Sequence, residues 1–281
     1  MRIVDNIAAL RVHTQLTRTG KALDRTSLRL SSGQRINSAG DDPAGFAISL
    51  HMRKQVQGMR MADRNTLDGT SLLETADGSL QDMHNMLHRI RELGVQAAND
   101  TYSPEQRAVI QLEVEQLLEE INDITRKVEF NNIKLLNGEA QNLRVQVGGR
   151  QGMSISLTIP PMRTWDLGLS DPDWYRGSAV DSVDVLSHEN ANDTIAAVQS
   201  AIEDLSMMRS EIGAFINRFE YTSSSLQAAT EATTRSLSRV FDADMAFEMM
   251  MMSKHQIMSQ AGMSIMAQVN ARPQQILQLL G

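Results

Sequence analysis

The chain has 281 residues, enough to bury one or two ordinary cores, yet only 4% of it is aromatic, which suits long helices better than a packed enzyme fold. The formal net charge of -7 argues against nucleic-acid binding, whose affinity comes from Lys and Arg clustered on a basic face, and no such cluster stands out along the chain. There is no cysteine, so disulfides and thiolate metal sites are excluded.

The opening Met1-Arg2-Ile3-Val4-Asp5-Asn6 puts an acid and an amide where a secretory signal has its apolar core. No uninterrupted apolar run approaches membrane-spanning length, so membrane insertion is not expected. If the chain is exported, it leaves by a route without a cleaved signal and passes unfolded, with no thiols to crosslink on the way. Ala9, Val12, Leu16, Thr19, Leu23, Thr26 and Leu30 then recur at alternating spacings of three and four, the seam of a coiled coil. A lone helix with such a stripe is marginal in water and needs a partner.

Leu73, Ala76, Leu80, Met83, Leu87, Ile90, Gly94 and Ala97 form a second such series, and Ile110, Val114, Leu117, Ile121, Ile124 and Val128 a third. Between them Ser103-Pro104-Glu105-Gln106 carries a cap, a proline for the first helical position and a capping-box glutamine. The pattern predicts two antiparallel helices joined by a short turn. Leu143, Val145 and Val147, the Gly148-Gly149-Arg150-Gln151-Gly152 turn, and Ile155, Leu157 and Ile159 predict the one β-hairpin. Pro160-Pro161 ends it, and residues 161–190, with Trp165, Trp174, Tyr175 and several Asp, read as an exposed connection.

From Ile195 through Val198, Ile202, Leu205, Arg209, Ile212, Ile216, Phe219, Ser223, Leu226, Thr230, Thr233 and Leu237 to Val240 the register never breaks. That is a rod of roughly 70 Å at 1.5 Å per residue. Ser and Thr replace apolar seam residues in its second half, which predicts looser packing. Near the end Met245, Met249, Met252, Met263 and Met266 mark a further apolar stripe, interrupted by Gln256 and Ser259, before the closing Ile276-Leu277-Gln278-Leu279-Leu280-Gly281. The expected fold is mainly α: an elongated antiparallel bundle or coiled coil of long helices with one small hairpin.

No catalytic, cofactor or metal site emerges. His84, His88 and Glu92 lie one turn apart, but the zinc-protease pattern has Glu directly after the first His, where this chain has Asn85. Glu119 and Glu120 point about 100° apart on a helix and solvate a face. Gly148-Gly149 opens no helix and so makes no phosphate loop.

Several of these stretches resemble bacterial flagellin. Ser31-Ser32-Gly33-Gln34-Arg35-Ile36-Asn37 with Ala39-Gly40-Asp41-Asp42 and Ala44-Gly45 is similar to the family's N-terminal signature, with Pro43 and Phe46 where Ala and Leu are frequent. Leu87 to Asn99, reading LHRIRELGVQAAN, resembles its most recognisable helix, and Phe130-Asn131 with Lys134-Leu135-Leu136 continues the likeness. Asp242-Ala243-Asp244-Met245-Ala246, Ser253-Lys254, Gln260-Ala261-Gly262, Ala267-Gln268, Pro273-Gln274 and Leu279-Leu280 resemble the C-terminal block.

The resemblance implies a structural, non-enzymatic filament subunit that self-assembles through paired terminal helices, serves motility and needs no cofactor. It implies an inner-tube helix over residues 1–42, middle-domain helices plus the hairpin over 43–160, a short variable connection over 161–190, a long helix over 191–242 and a second inner-tube helix over 243–281. Large outer domains are absent. Assembly would draw on Val12, Leu16, Leu23, Leu30, Met245, Met249, Met252, Met263, Met266, Leu279 and Leu280. Implied partners are further copies of the chain, an export chaperone, and the filament cap and hook-junction proteins. A Toll-like innate immune receptor would contact Arg89, Leu93 and Glu113. The location implied is the extracellular flagellar filament, or a periplasmic one. A minor flagellin, a hook-filament junction protein and an intracellular coiled-coil adaptor are the alternatives.

Overall fold

The computed structural model describes residues 6–170 and 183–280, with side chains through residue 271. Helices α1 (Ile7–Ser32), α2 (Pro43–Ala97) and α3 (Pro104–Lys127) lead into strands β1 (Glu129–Phe130), β2 (Ile133–Lys134), β3 (Leu143–Gln146) and β4 (Ser154–Leu157), and helices α4 (His188–Phe241) and α5 (Met245–Leu280) complete the chain. These elements form two units, Met1–Val56 with Glu231–Gly281, and Gln57–Thr230, so each unit boundary falls inside α2 or α4.

The Gln57–Thr230 unit holds the main core. Leu73, Ala76, Leu80, Met83, Leu87, Ile90 and Ala97 of α2 are all buried, as are Val198, Ile202, Leu205, Ile212 and Phe219 of α4. The two helices run antiparallel: Asp63 accepts from the Ser223 hydroxyl at 2.6 Å, Asp77 from Arg209 Nε at 2.8 Å, and Gly94 lies beside Ile195. Beyond Ser223 the α4 seam positions are only half-buried, as its Ser and Thr content predicts. Helix α3 starts where its capping box places it, with Gln106 N–H donating to Ser103 Oγ and Ser103 N–H to the Gln106 side chain. Burial of Ile110, Val114 and Ile121 fixes its inner face.

Strands β3 and β4 pair antiparallel with Leu143 opposite Leu157 and Val145 opposite Ile155, and the buried Ile155, Leu157 and Ile159 join the core. A second ladder, β1 with β2, turns through Asn131 and Asn132 at φ 50° and 65°. Asparagine tolerates that left-handed backbone. Two-residue strands are too short to leave an alternation in the sequence, which explains why only one hairpin is expected there.

The exposed connection expected over residues 161–190 is not what its described parts form. Met162, Thr164, Leu167, Leu169, Val183 and Val185 are buried. Two buried amides of α3 hold them: Asn122 Oδ1 accepts from the N–H and hydroxyl of Thr164, at 3.1 and 3.0 Å. Gln111 donates to the Val183 carbonyl at 3.3 Å and accepts from the Val185 N–H at 3.0 Å. Such bonds satisfy irregular backbone that would otherwise be buried unpaired. Trp165 lies 4.5 Å beneath the Arg163 guanidinium; Trp174 and Tyr175 fall outside the described residues.

One titration follows from the α2–α4 packing. The His84 ring meets His88 edge-on with centroids 4.5 Å apart, and its buried Nδ1 has no hydrogen-bond partner. Burial, then the charges of His88 and Arg209, hold its imidazole below the ordinary 6.5. The unfolded chain therefore binds the His84 proton more readily than the folded one, so stability is complete above pH 6.5 and declines as pH falls through the lowered folded value. Urea titrations at stepped pH should show that decline, and His84→Gln should make it shallower; equal slopes in both chains would assign the loss to other groups.

Candidate assembly surface

The terminal unit is built on α1 and α5, which pack against each other. They run antiparallel, because Asn6 Nδ2 donates to the Val269 carbonyl at 3.2 Å, Leu16 touches Gly262, and Arg29 pairs with Glu248 at 3.3 Å. Asn6 does double duty, its side-chain oxygen also capping α1 by accepting from the Ala9 N–H at 3.1 Å. On α1 the inward positions are Ala9, Val12, Leu16, Thr19, Leu23, Thr26 and Leu30, the series the spacing picks out. Thr19 and Thr26 tolerate burial because their hydroxyls donate back to the Gln15 and Ala22 carbonyls.

On α5 the methionine stripe is not the inward face. Apart from Met251, the less exposed positions are Glu248, Met252, His255, Ser259, Gly262, Met266 and Val269, a three-four series in its own right, whereas Met245, Met249 and Met263 are 46%, 55% and 54% exposed. Of the five stripe methionines only Met252 and Met266 turn inward. Small and polar residues line the seam because α1 approaches closely: a Cβ on Gly262 would stand 3.2 Å from Leu16 Cδ1. The three-four spacing of Ser259 and Gly262 is the sequence signal for that face, masked by the stronger apolar signal of the methionines. The side chains of Leu279 and Leu280 fall outside the described residues.

The signature between α1 and α2 proves to be a structural knot within the terminal unit. Gly33 ends α1 in the left-handed region at φ 67°, its N–H on the Arg29 carbonyl. The chain then pairs with the α4–α5 junction: Arg35 N–H donates to the Phe241 carbonyl at 2.8 Å, and Ala243 N–H to that of Gly33 at 3.0 Å. Buried Ile36 and Phe241 seal the joint, with the Arg53 guanidinium 4.0 Å over the Phe241 ring. Asp41 accepts from the N–H groups of Ser38 and Asn37, and the Ser38 backbone bond leads the effects that hold its carboxyl below the usual range. Asp42 caps α2 through the Gly45 N–H at 3.0 Å, and Asp244 caps α5 through those of Ala246 and Phe247.

Charge is divided in a way the net value conceals. The terminal unit carries thirteen Lys and Arg against eight Asp and Glu, the Gln57–Thr230 unit fourteen against twenty-six. A basic cluster does exist: Arg18, Lys21, Arg25 and Arg29 border one hollow on the α1–α5 pair, closed by Phe247, Glu248, Met251 and His255. Spacings of three and four put all four on one side of α1.

In the Gln57–Thr230 unit, Arg89 bridges α2 to α3, its guanidinium reaching Glu113 at 2.8 Å and Glu92 at 3.3 Å. Leu93 is only 2% exposed and belongs to the core, so it does not share a surface patch with Arg89 and Glu113. The described residues bring together no group of three His, Asp or Glu able to hold a metal ion; Glu92 pairs with Arg89, away from the His84–His88 contact.

Two long helices joined at a common seam, with large apolar side chains left exposed outside it, chiefly on α5, define a helical self-association protein. Residues 3–141 match the bacterial flagellin N-terminal helical region and residues 195–280 the bacterial flagellin C-terminal helical region. Flagellin of Bacillus subtilis (strain 168) is 40% identical over 303 residues, covering 100% of both chains. The flagellar filament core protein flaB2 of Brachyspira hyodysenteriae is 37% identical over 290 residues, again covering 100% of each. The crystal structure of Bacillus cereus flagellin is 26% identical with a TM-score of 0.50, spanning 58% of this chain and 88% of that one. The chain belongs to the bacterial flagellin family, as a short form without large outer domains. It is a structural subunit of the flagellar filament that self-assembles and serves motility.

Proposed function

We propose that residues 1–42 and 243–281 line the interior of the filament as paired helices, and that the outward apolar faces of α1 and α5 are what neighbouring copies bury. One observation carries this reading: with the α1–α5 seam closed, Ile7, Leu10 and Leu28 on one helix and Met245, Phe247, Met249, Met250, Ile257, Met258, Met263 and Ile265 on the other remain exposed. A surface that apolar calls for a partner. The order of the termini then depends on assembly, as in coupled folding and binding. Contacts between non-equivalent faces give an open helix wherever the rotation does not close.

By likeness to the family, residues 43–160 and 191–242 are the middle-domain helices and 161–190 the variable connection. The subunit leaves the cell without a cleaved signal, meets an export chaperone on the way, and joins the filament beneath a cap and beyond hook-junction proteins. External and periplasmic filaments fit the chain equally. Recognition by a Toll-like receptor would centre on the exposed Arg89 and Glu113, with Leu93 supporting them from the core.

The Gly262–Leu16 contact supplies the test. Gly262→Leu forces a branched side chain against Leu16, whose Cδ1 already stands 3.2 Å from where a Cβ would be, at a cost of about 1–3 kcal/mol. Seeded growth, followed by light scattering and electron microscopy, should fall at least severalfold while the melting of the Gln57–Thr230 core is unchanged. Growth of the variant at the wild-type rate would remove the seam from the assembly mechanism.

A further inference from the structure

Eight of the eighteen methionines lie in α5, and Met245, Met249, Met250, Met258 and Met263 are between 39% and 61% exposed. The chain has no cysteine, so these thioethers face no competition from a thiol for an oxidant. By contrast Met59, Met83, Met162 and Met208 in the Gln57–Thr230 unit are 8% exposed or less. Sulfur that is easily oxidised is thus concentrated on α5 outside its seam with α1, beside the exposed Phe247, Ile257 and Ile265.

We propose that these exposed methionines of α5 form an oxidation site for two-electron oxidants such as hydrogen peroxide, and that a subunit oxidised there is excluded from filament growth. The thioether sulfur attacks one peroxide oxygen, a sulfur–oxygen bond forms as the oxygen–oxygen bond breaks, and water leaves after proton transfer. Sulfur is oxidised by two electrons and peroxide is reduced by two. Each sulfoxide turns a flexible apolar side chain into one bearing a strong acceptor oxygen. In water that oxygen is hydrated; pressed into an apolar contact between copies it has no donor, and its desolvation opposes association. The inference rests on the assembly reading above, and it makes the free subunit the vulnerable form.

The test uses the full chain. Free protein is treated with hydrogen peroxide, sulfoxides are located by peptide mass spectrometry, and seeded elongation is measured before treatment, after it, and after methionine sulfoxide reductases A and B. Modification should appear at the five α5 positions before Met83 or Met208. Elongation should slow about tenfold or more, the consequence of leaving even one buried oxygen unpaired, and reductase should restore it. Met61, Met153 and Met207 are also exposed, so a variant with Leu at the five α5 positions separates their contribution. It should elongate equally well with and without peroxide. Unchanged growth of a mapped, oxidised wild type overturns the proposal, as does equal inhibition of the Leu variant. Should that variant not grow at all, reductase reversal in the wild type decides. Untreated wild type that never elongates seeds would overturn the assembly reading itself, and the inference with it.

Discussion

Removal of residues 243–281 is expected to abolish filament growth. It strips α1 of its antiparallel partner: the Arg29–Glu248 pair, the Asn6–Val269 bond and the cover over Val12, Leu16, Leu23 and Leu30 all disappear together. A solitary helix of 26 residues with an exposed apolar stripe is marginal in water. The knot at residues 33–36 also loses the hydrogen bond that Ala243 donates to Gly33. The core of the Gln57–Thr230 unit shares none of these contacts. Circular dichroism should therefore show helix lost from α1 as well as from the deleted segment, with the main cooperative melt retained. Electron microscopy of seeded samples should show no elongation; filaments from the truncated chain would sink the terminal-pair mechanism.

The second large effect concerns stability. Phe219 is fully buried on α4, and the space a Cβ on Gly69 would take lies 3.1 Å from its ring and 3.3 Å from Val145 of β3. Helix α2, helix α4 and the hairpin meet at this ring. Phe219→Ala removes the group they share and leaves a void lined by rigid elements, at a cost of about 3–5 kcal/mol. Because single domains keep only about 5–15 kcal/mol in reserve, the urea midpoint of the Gln57–Thr230 unit should drop sharply. Phe219→Leu, which keeps most of the volume, should lie between the two. A loss below about 1 kcal/mol in Phe219→Ala would mean the site collapses around the smaller residue.

Much of the architecture is legible in residue order, and for a consistent reason. Where one face of a helix is plainly apolar and the other polar, period alone names the buried side. The α2 series from Leu73 to Ala97 is buried at every position, and the α1 series from Ala9 to Leu30 faces α5 throughout. Local chemistry is equally readable, since the Ser103–Gln106 capping box and the Pro43 start of α2 involve residues within one turn.

Period fails on α5, where apolar residues lie on almost every side. The inward face is chosen by how closely α1 can approach, which favours Ser259 and Gly262 over Met245, Met249 and Met263. Leu93 shows a different limit, since the family resemblance grouped it with Arg89 and Glu113 as a receptor contact while packing against the core took it inside. The described parts of residues 161–190 carry no period because their burial is dictated by Asn122 and Gln111, about forty to seventy positions away. The basic hollow was hidden by an acidic total. By itself, then, the sequence determined the helices, the cap of α3, the seams of α1 to α4 and the family. Tertiary structure decided which side of α5 is sealed and which is left for other copies, because that choice depends on the distance between two helices more than two hundred residues apart in the chain.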